Sequence, residues 1–110
     1  MLSYNTDTKS MSIIAKDTGS FVIGLDNYLL DDGDTVYFTV NDALEKEEPL
    51  IQKVITSFNS EHKAVIMLTK EDTNLPVGKY FYDVQVNTAD GRVDTVLGPS
   101  TFKILGGVTY

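Results

Sequence analysis

The residues in this chain best suited to chemistry are carboxylates. Asp26, Asp31, Asp32 and Asp34 stand together in "LDNYLLDDGDT", and such a density of oxygen donors can hold calcium. The order of an EF-hand loop, with Gly sixth and Glu twelfth, is missing. Asp and Gly are also what an ordinary turn uses, so the cluster around Gly33 is read as a turn and no metal is expected. Asp83 lies mid-strand on a polar face beside Phe81, where a solvated carboxylate or a cross-strand partner for a cation is the expected role. Spacing singles out no acid–base pair among the other carboxylates. His62, the single histidine, sits in the turn-like "NSEHK". The chain has no cysteine, so a disulfide, a thiolate metal site and a cysteine nucleophile are all excluded. Ser57 and Ser100 lack the elbow of a serine nucleophile, and "GPSTFKILGG" lacks the phosphate-binding glycine patterns. The chain is therefore read as non-enzymatic, with no catalytic residue, no cofactor and no small-molecule substrate.

Charge narrows the partners. Nine Lys and Arg against sixteen Asp and Glu leave a net charge of −7, with no basic cluster to offset it. Phosphate backbones would be repelled, so nucleic acid is not an expected partner. At 110 residues and 42% hydrophobic, the chain can bury the core of one domain. No stretch approaches the roughly 18 apolar residues of a membrane span. The opening "MLSYNTDTKSMS" carries neither a basic leader nor a signal-type apolar run. Synthesis in the cytoplasm, with no membrane partner, is expected.

The elements that must position these residues are strands. In "KYFYDVQVN", Tyr80, Tyr82, Val84 and Val86 share one face, and Phe81, Asp83, Gln85 and Asn87 the other. This period of two marks a half-buried strand. In "TVYFTVN" (35–41) Val36, Phe38 and Val40 point inward. Further strands are expected over 11–16, 20–26, 50–58, 63–69, 92–97 and 100–105, the last two divided by Gly98-Pro99. The 50–58 segment alternates imperfectly, which marks a bulge or an edge. Asp90-Gly91 is a hairpin signal, and "DALEKEEP" is a charged connection. Thr69 stands three residues before Asp72, an approximate capping box that predicts one helical turn near 70–75. Seven or eight short strands without a helical period predict an all-β, antiparallel, immunoglobulin-like β-sandwich, with a small barrel as the alternative. The domain is placed at 11–105, between a flexible N-terminus (1–10) and a tail (106–110).

"LPVGKYFYDV" sharpens the sandwich reading. Gly78 is followed by Tyr80, and a large residue, Tyr82, comes two positions later. A tyrosine at such a corner hydrogen-bonds back to nearby backbone, two positions before a core residue. Gly78, Tyr80 and Tyr82 are the expected structural corner.

The stretch from Val65 to Ile104 resembles the C-terminal half of small β-sandwich domains from tailed bacteriophages and prophages. The resemblance includes the N-terminal domains of upper baseplate proteins and related tail or neck proteins. It rests on Leu68 and Thr69, then Pro76, Gly78, Tyr80, Tyr82, Asp83 and Val84, then Gly91, Phe102 and Ile104. "GSFVIGLDNYLLDDGDTVYFTVND" resembles the family's opening strands, so the likeness covers about residues 11 to 105. It implies a structural protein of a phage or prophage particle, made in the bacterial cytoplasm and carried in the virion, with itself and other virion proteins as partners. It implies no catalytic residue. The chain departs from upper baseplate proteins by ending at Tyr110, without their long C-terminal portion. A monomeric immunoglobulin-like binding module, cell-surface or carbohydrate-binding, is the alternative reading.

A homo-oligomer is expected. "LIQKVITSF" carries one charge, Lys53, and no proline, and both of its faces are partly apolar. Sheet edges of that kind pair with other chains unless blunted; either this strand lies deep in the fold or its second face meets another subunit, with Ile51, Val54 and Ile55 as the candidate contact residues. Val108 and Tyr110, beyond Gly106-Gly107, suit an arm that docks on a neighbour.

Overall fold

The computed structural model describes residues 2–25, 28–43 and 48–107. Asp26, positions 44–47 of the charged connection and the expected arm at Val108 and Tyr110 lie outside the described residues. The fold is all-β. Eight strands follow in order: β1 (Ser3–Tyr4), β2 (Met11–Ile14), β3 (Gly19–Ile23), β4 (Thr35–Asn41), β5 (Ile51–Ile55), β6 (Ala64–Leu68), β7 (Gly78–Asn87) and β8 (Val93–Leu105). Six of them form one curled sheet in the order β1-β2-β8-β7-β4-β5, and β3 and β6 form a second sheet of two strands.

Alternation builds the core. Val36, Phe38 and Val40 of β4, and Tyr82, Val84 and Val86 of β7, are all buried, as are Phe102 and Ile104 of β8. Ala64, Ile66 and Leu68 close this core from β6. Phe38 lies at the centre, with ring centroids 5.8 Å from Tyr82 and 6.2 Å from Phe102. Phe21 of β3 meets it edge-on at 5.1 Å and 73°, a favoured aromatic geometry that couples the two sheets.

Several expectations are corrected. The sheet is not antiparallel throughout, because β2 runs parallel to β8 with Met11 opposite Phe102. A parallel pair needs a long connection, and here nearly the whole domain lies between the two strands. The segments 92–97 and 100–105 are one strand rather than two. Gly98-Pro99, a cis peptide, lies inside β8, and the register against β7 slips twice, between Tyr82 and Val84 and between Val84 and Gln85. The break read at Gly-Pro is therefore a bulge within a continuous strand.

No helix is present among the described residues, and the helical turn expected near 70–75 is absent. The capping partners do meet: Thr69 N–H donates to Asp72 Oδ2 at 2.8 Å, and Asp72 N–H to Thr69 Oγ1 at 3.2 Å. They close a turn that is then tied to the β2–β3 connection. The buried Thr73 hydroxyl donates to the Asp17 carbonyl at 2.7 Å, and Lys16 N–H donates to the Thr73 carbonyl. Leu75 precedes a proline, a position that disfavours helical backbone.

Residues 3–4, set apart with the N-terminus in the sequence reading, pair with β2. The following loop is held by Asn5, whose side-chain oxygen accepts the Asp7 and Thr8 amides.

Candidate functional site

The acidic cluster is a structural junction. Asp34 is 2% exposed. Its Oδ1 accepts the Tyr28 hydroxyl at 2.9 Å and the Ala89 amide at 2.9 Å, and its Oδ2 accepts the Asp31 amide at 3.0 Å. Asp31 Oδ1 in turn accepts the Asp32 amide at 2.8 Å. The oxygens that a cation would have needed from Asp34 thus bind the β3–β4 connection to the β7–β8 hairpin. Desolvation pushes the Asp34 carboxyl up, but the amides of Asp31 and Ala89, the Tyr28 hydroxyl and the Arg92 charge outweigh it and hold it below the usual carboxylate range. Among the described residues, no three His, Cys, Asp or Glu side chains gather as a metal site. His62 adopts a positive φ of 60°, with Nδ1 3.2 Å from the Leu30 carbonyl. Ser100 lies in β8 opposite Tyr82.

The corner residues lie at the base of β7. The Tyr80 hydroxyl donates to the Pro76 carbonyl, four residues upstream, at 2.6 Å. Tyr82 is buried, and its hydroxyl donates to the Lys9 carbonyl. Desolvation is the main reason that hydroxyl is pushed up to about 12. Gly78, by contrast, has open space around it. Tyr80→Phe is expected to cost about 1–2 kcal/mol, the worth of one buried hydroxyl's hydrogen bond. Tyr37→Phe, on the outer face, is expected to be near neutral. Urea denaturation of the two variants checks this, and equal effects would contradict it.

The three candidate contact residues part company. Ile51 is 4% exposed and belongs to the core, and Ile55 is partly buried against it. Only Val54 lies open on the outer face, at 51% exposure. The imperfect alternation has a local cause: Lys53 takes an inward position opposite Phe38 at the sheet's edge. Its amine reaches Asp72 at 2.6 Å, bridging β5 to the turn that follows β6. Asp72 is desolvated, but its bonds with Lys53 and Thr69 hold its carboxyl below the usual range.

The sequence reading did not anticipate a trough of about 920 Å³ on the outer face of the larger sheet. Register explains its position. Tyr37 stands opposite Gln85, Thr39 opposite Asp83, and Asn41 opposite Phe81. The rings of Tyr37 and Phe81 are therefore separated by the short side chains of Thr39 and Asp83. Gln52 of β5, which donates to Thr39 Oγ1 at 3.3 Å, and Pro99 of the β8 bulge complete the lining. Asp83 is partly buried and makes no hydrogen bond or ion pair with the described residues, and desolvation raises its pKa. Asn87 Oδ1 is buried without a hydrogen-bond partner among the described residues. Alternation had marked Asp83, Gln85 and Asn87 as one polar face, but not the neighbours that turn the face into a trough.

No protein-family model matches the chain, and no curated protein matches it.

Proposed function

We propose that the chain is a non-enzymatic assembly module of a phage or prophage particle, an immunoglobulin-like β-sandwich that acts through protein–protein contacts with itself and with other virion proteins. The phage assignment rests on the order of motifs from Leu68 to Ile104. The sandwich assignment draws on the sheet partition, with β3 and β6 in the places of the B and E strands and β4, β7 and β8 in those of C, F and G. It also draws on the Tyr80–Pro76 bond at the start of β7.

The observation that carries the assembly reading is the second sheet. Its strands, "GSFVI" and "AVIML", contain no charge and no proline. Among the described residues each pairs only with the other, so each has one edge without a ladder partner. Their outer face exposes Val22 (51%), Val65 (38%) and Met67 (66%). Unblunted edges beside an exposed apolar face are what a second chain covers. Light scattering at micromolar concentration is expected to show a homo-oligomer. Met67→Lys, folded by circular dichroism, is expected to dissociate it. A wild-type monomer throughout that range would overturn self-assembly, and an oligomer that resists Met67→Lys but yields to Val54→Lys would move the interface to β5.

The second reading, an immunoglobulin-like binding module, is favoured by the trough beside Asp83.

A further inference from the structure

We propose that the outer-face trough of β4, β5 and β7 is a binding site for a neutral oligosaccharide, with Tyr37 and Phe81 as stacking platforms and Asp83, Gln85, Asn87 and Gln52 as its hydrogen-bonding groups. This names a ligand class for the second reading. It is independent of assembly through the second sheet, because β3 and β6 take no part in the site.

One buried acceptor, with a partly exposed carboxylate on the same face, points to a ligand. Asp83 has no partner among the described residues, and neither has Asn87 Oδ1, although that atom is buried. Polar atoms withdrawn from water carry a cost unless something donates to them. Both lie along β7, on the same side as Gln85 and Phe81. The trough therefore holds one buried acceptor in need of a donor, Asn87 Oδ1, and a partly exposed carboxylate, Asp83, that a ligand can reach.

The remaining lining narrows the class. Among the described residues no Lys or Arg lines the trough, so they offer no cation within it to a phosphate or carboxylate. Lys79 stands over the Phe81 ring instead, with Nζ 5.6 Å from its centroid. A basic peptide is the competing ligand, because its cations would pair with Asp83 and its carbonyls would accept from Gln85, and the titration includes one. Sugar hydroxyls donate and accept at once, and their C–H faces pack on aromatic rings. This mixture of one carboxylate, carboxamides and rings is matched group for group by a polyol chain. From Phe81 to Gln85 the strand rises roughly 13 Å, the length of a short oligosaccharide. An open, partly apolar trough with a few convergent polar groups is also the usual setting of a small-ligand site.

The test is a titration of the isotope-labelled full chain with cellohexaose, maltohexaose and chitohexaose, with tetralysine as the contrasting probe. At least one hexasaccharide is expected to bind with a Kd below about 1 mM and to shift the side-chain amide resonances of Gln52, Gln85 and Asn87. Tyr37→Ala and Asp83→Ala, both outer-face changes, are each expected to weaken that binding by about tenfold or more. Met67→Lys is expected to leave it unchanged, whatever it does to oligomeric state. Binding of tetralysine alone would overturn the saccharide assignment and keep a binding module. No perturbation by any probe would overturn both. Saccharide shifts that persist undiminished in the two alanine variants would place binding elsewhere and overturn the site.

Discussion

Gly98→Ala is expected to cost more than about 3 kcal/mol of stability and to lower the melting temperature by more than about 10 °C. Two independent effects act at this position. Gly98 has a φ of +84°, a conformation that L side chains rarely adopt. A Cβ there would lie 2.5 Å from the Tyr82 carbonyl oxygen and 3.1 Å from the Asp83 Cα. Both are backbone atoms of the central strand, so no rotamer change relieves the overlap, and β7 or the bulge itself has to move. The bulge is where β8 gains its extra residues against β7, and β7 also carries Tyr82 into the core. Gly91→Ala is the control. Its φ is +94°, but a Cβ there would meet nothing within 4 Å, so only the dihedral cost of about 1–2 kcal/mol remains. Thermal melts of the two variants side by side decide the matter. Equal losses would mean that the contact with Tyr82 carries no weight.

Asp34→Asn is expected to cost about 2–4 kcal/mol at neutral pH. The carboxylate receives three donors from three separate places: Tyr28, Asp31 and Ala89. An amide keeps one acceptor oxygen and turns an NH2 group toward at least one donor that already points inward. That leaves a buried N–H or O–H unsatisfied, and it loosens the β7–β8 hairpin from the β3–β4 connection. Asp32→Asn is the matched control, on an exposed side chain, and should stay within about 0.5 kcal/mol.

The pH dependence follows from the direction of the shift. The folded-state pKa of Asp34 is lowered, so its contribution is complete above the unfolded carboxylate value near 4. It is lost as pH falls through the lower folded value. The gap in stability between wild type and Asp34→Asn should therefore be wide at pH 7 and close progressively below about pH 4. A gap that is flat across that range would show that the charge of Asp34 contributes nothing.

What was legible in the sequence is what repeats locally. A strand alternates with a period of two wherever one face meets a core, so β4 and β7 could be read with their inward residues named. Val36, Phe38, Val40, Tyr82, Val84 and Val86 all point into the core. The pairing of Thr69 with Asp72 was equally local. The tertiary structure decided what no short window contains. Asp34 meets Ala89 across 55 positions, and Tyr82 meets the Lys9 carbonyl across 73. A turn aspartate and a core tyrosine carry no mark of such partners. The parallel contact of β2 with β8 joins the two ends of the fold, and the amine of Lys53, the one charge in a hydrophobic strand, finds Asp72 only once β5 and the turn after β6 come together. Gly98-Pro99 read as a break because those residues disfavour a regular strand, yet the neighbouring β7 supplies the ladder that keeps β8 continuous around its bulge. The trough follows the same logic. Tyr37, Gln52, Asp83 and Pro99 lie on four different strands, and only the order β8-β7-β4-β5 sets them around one space.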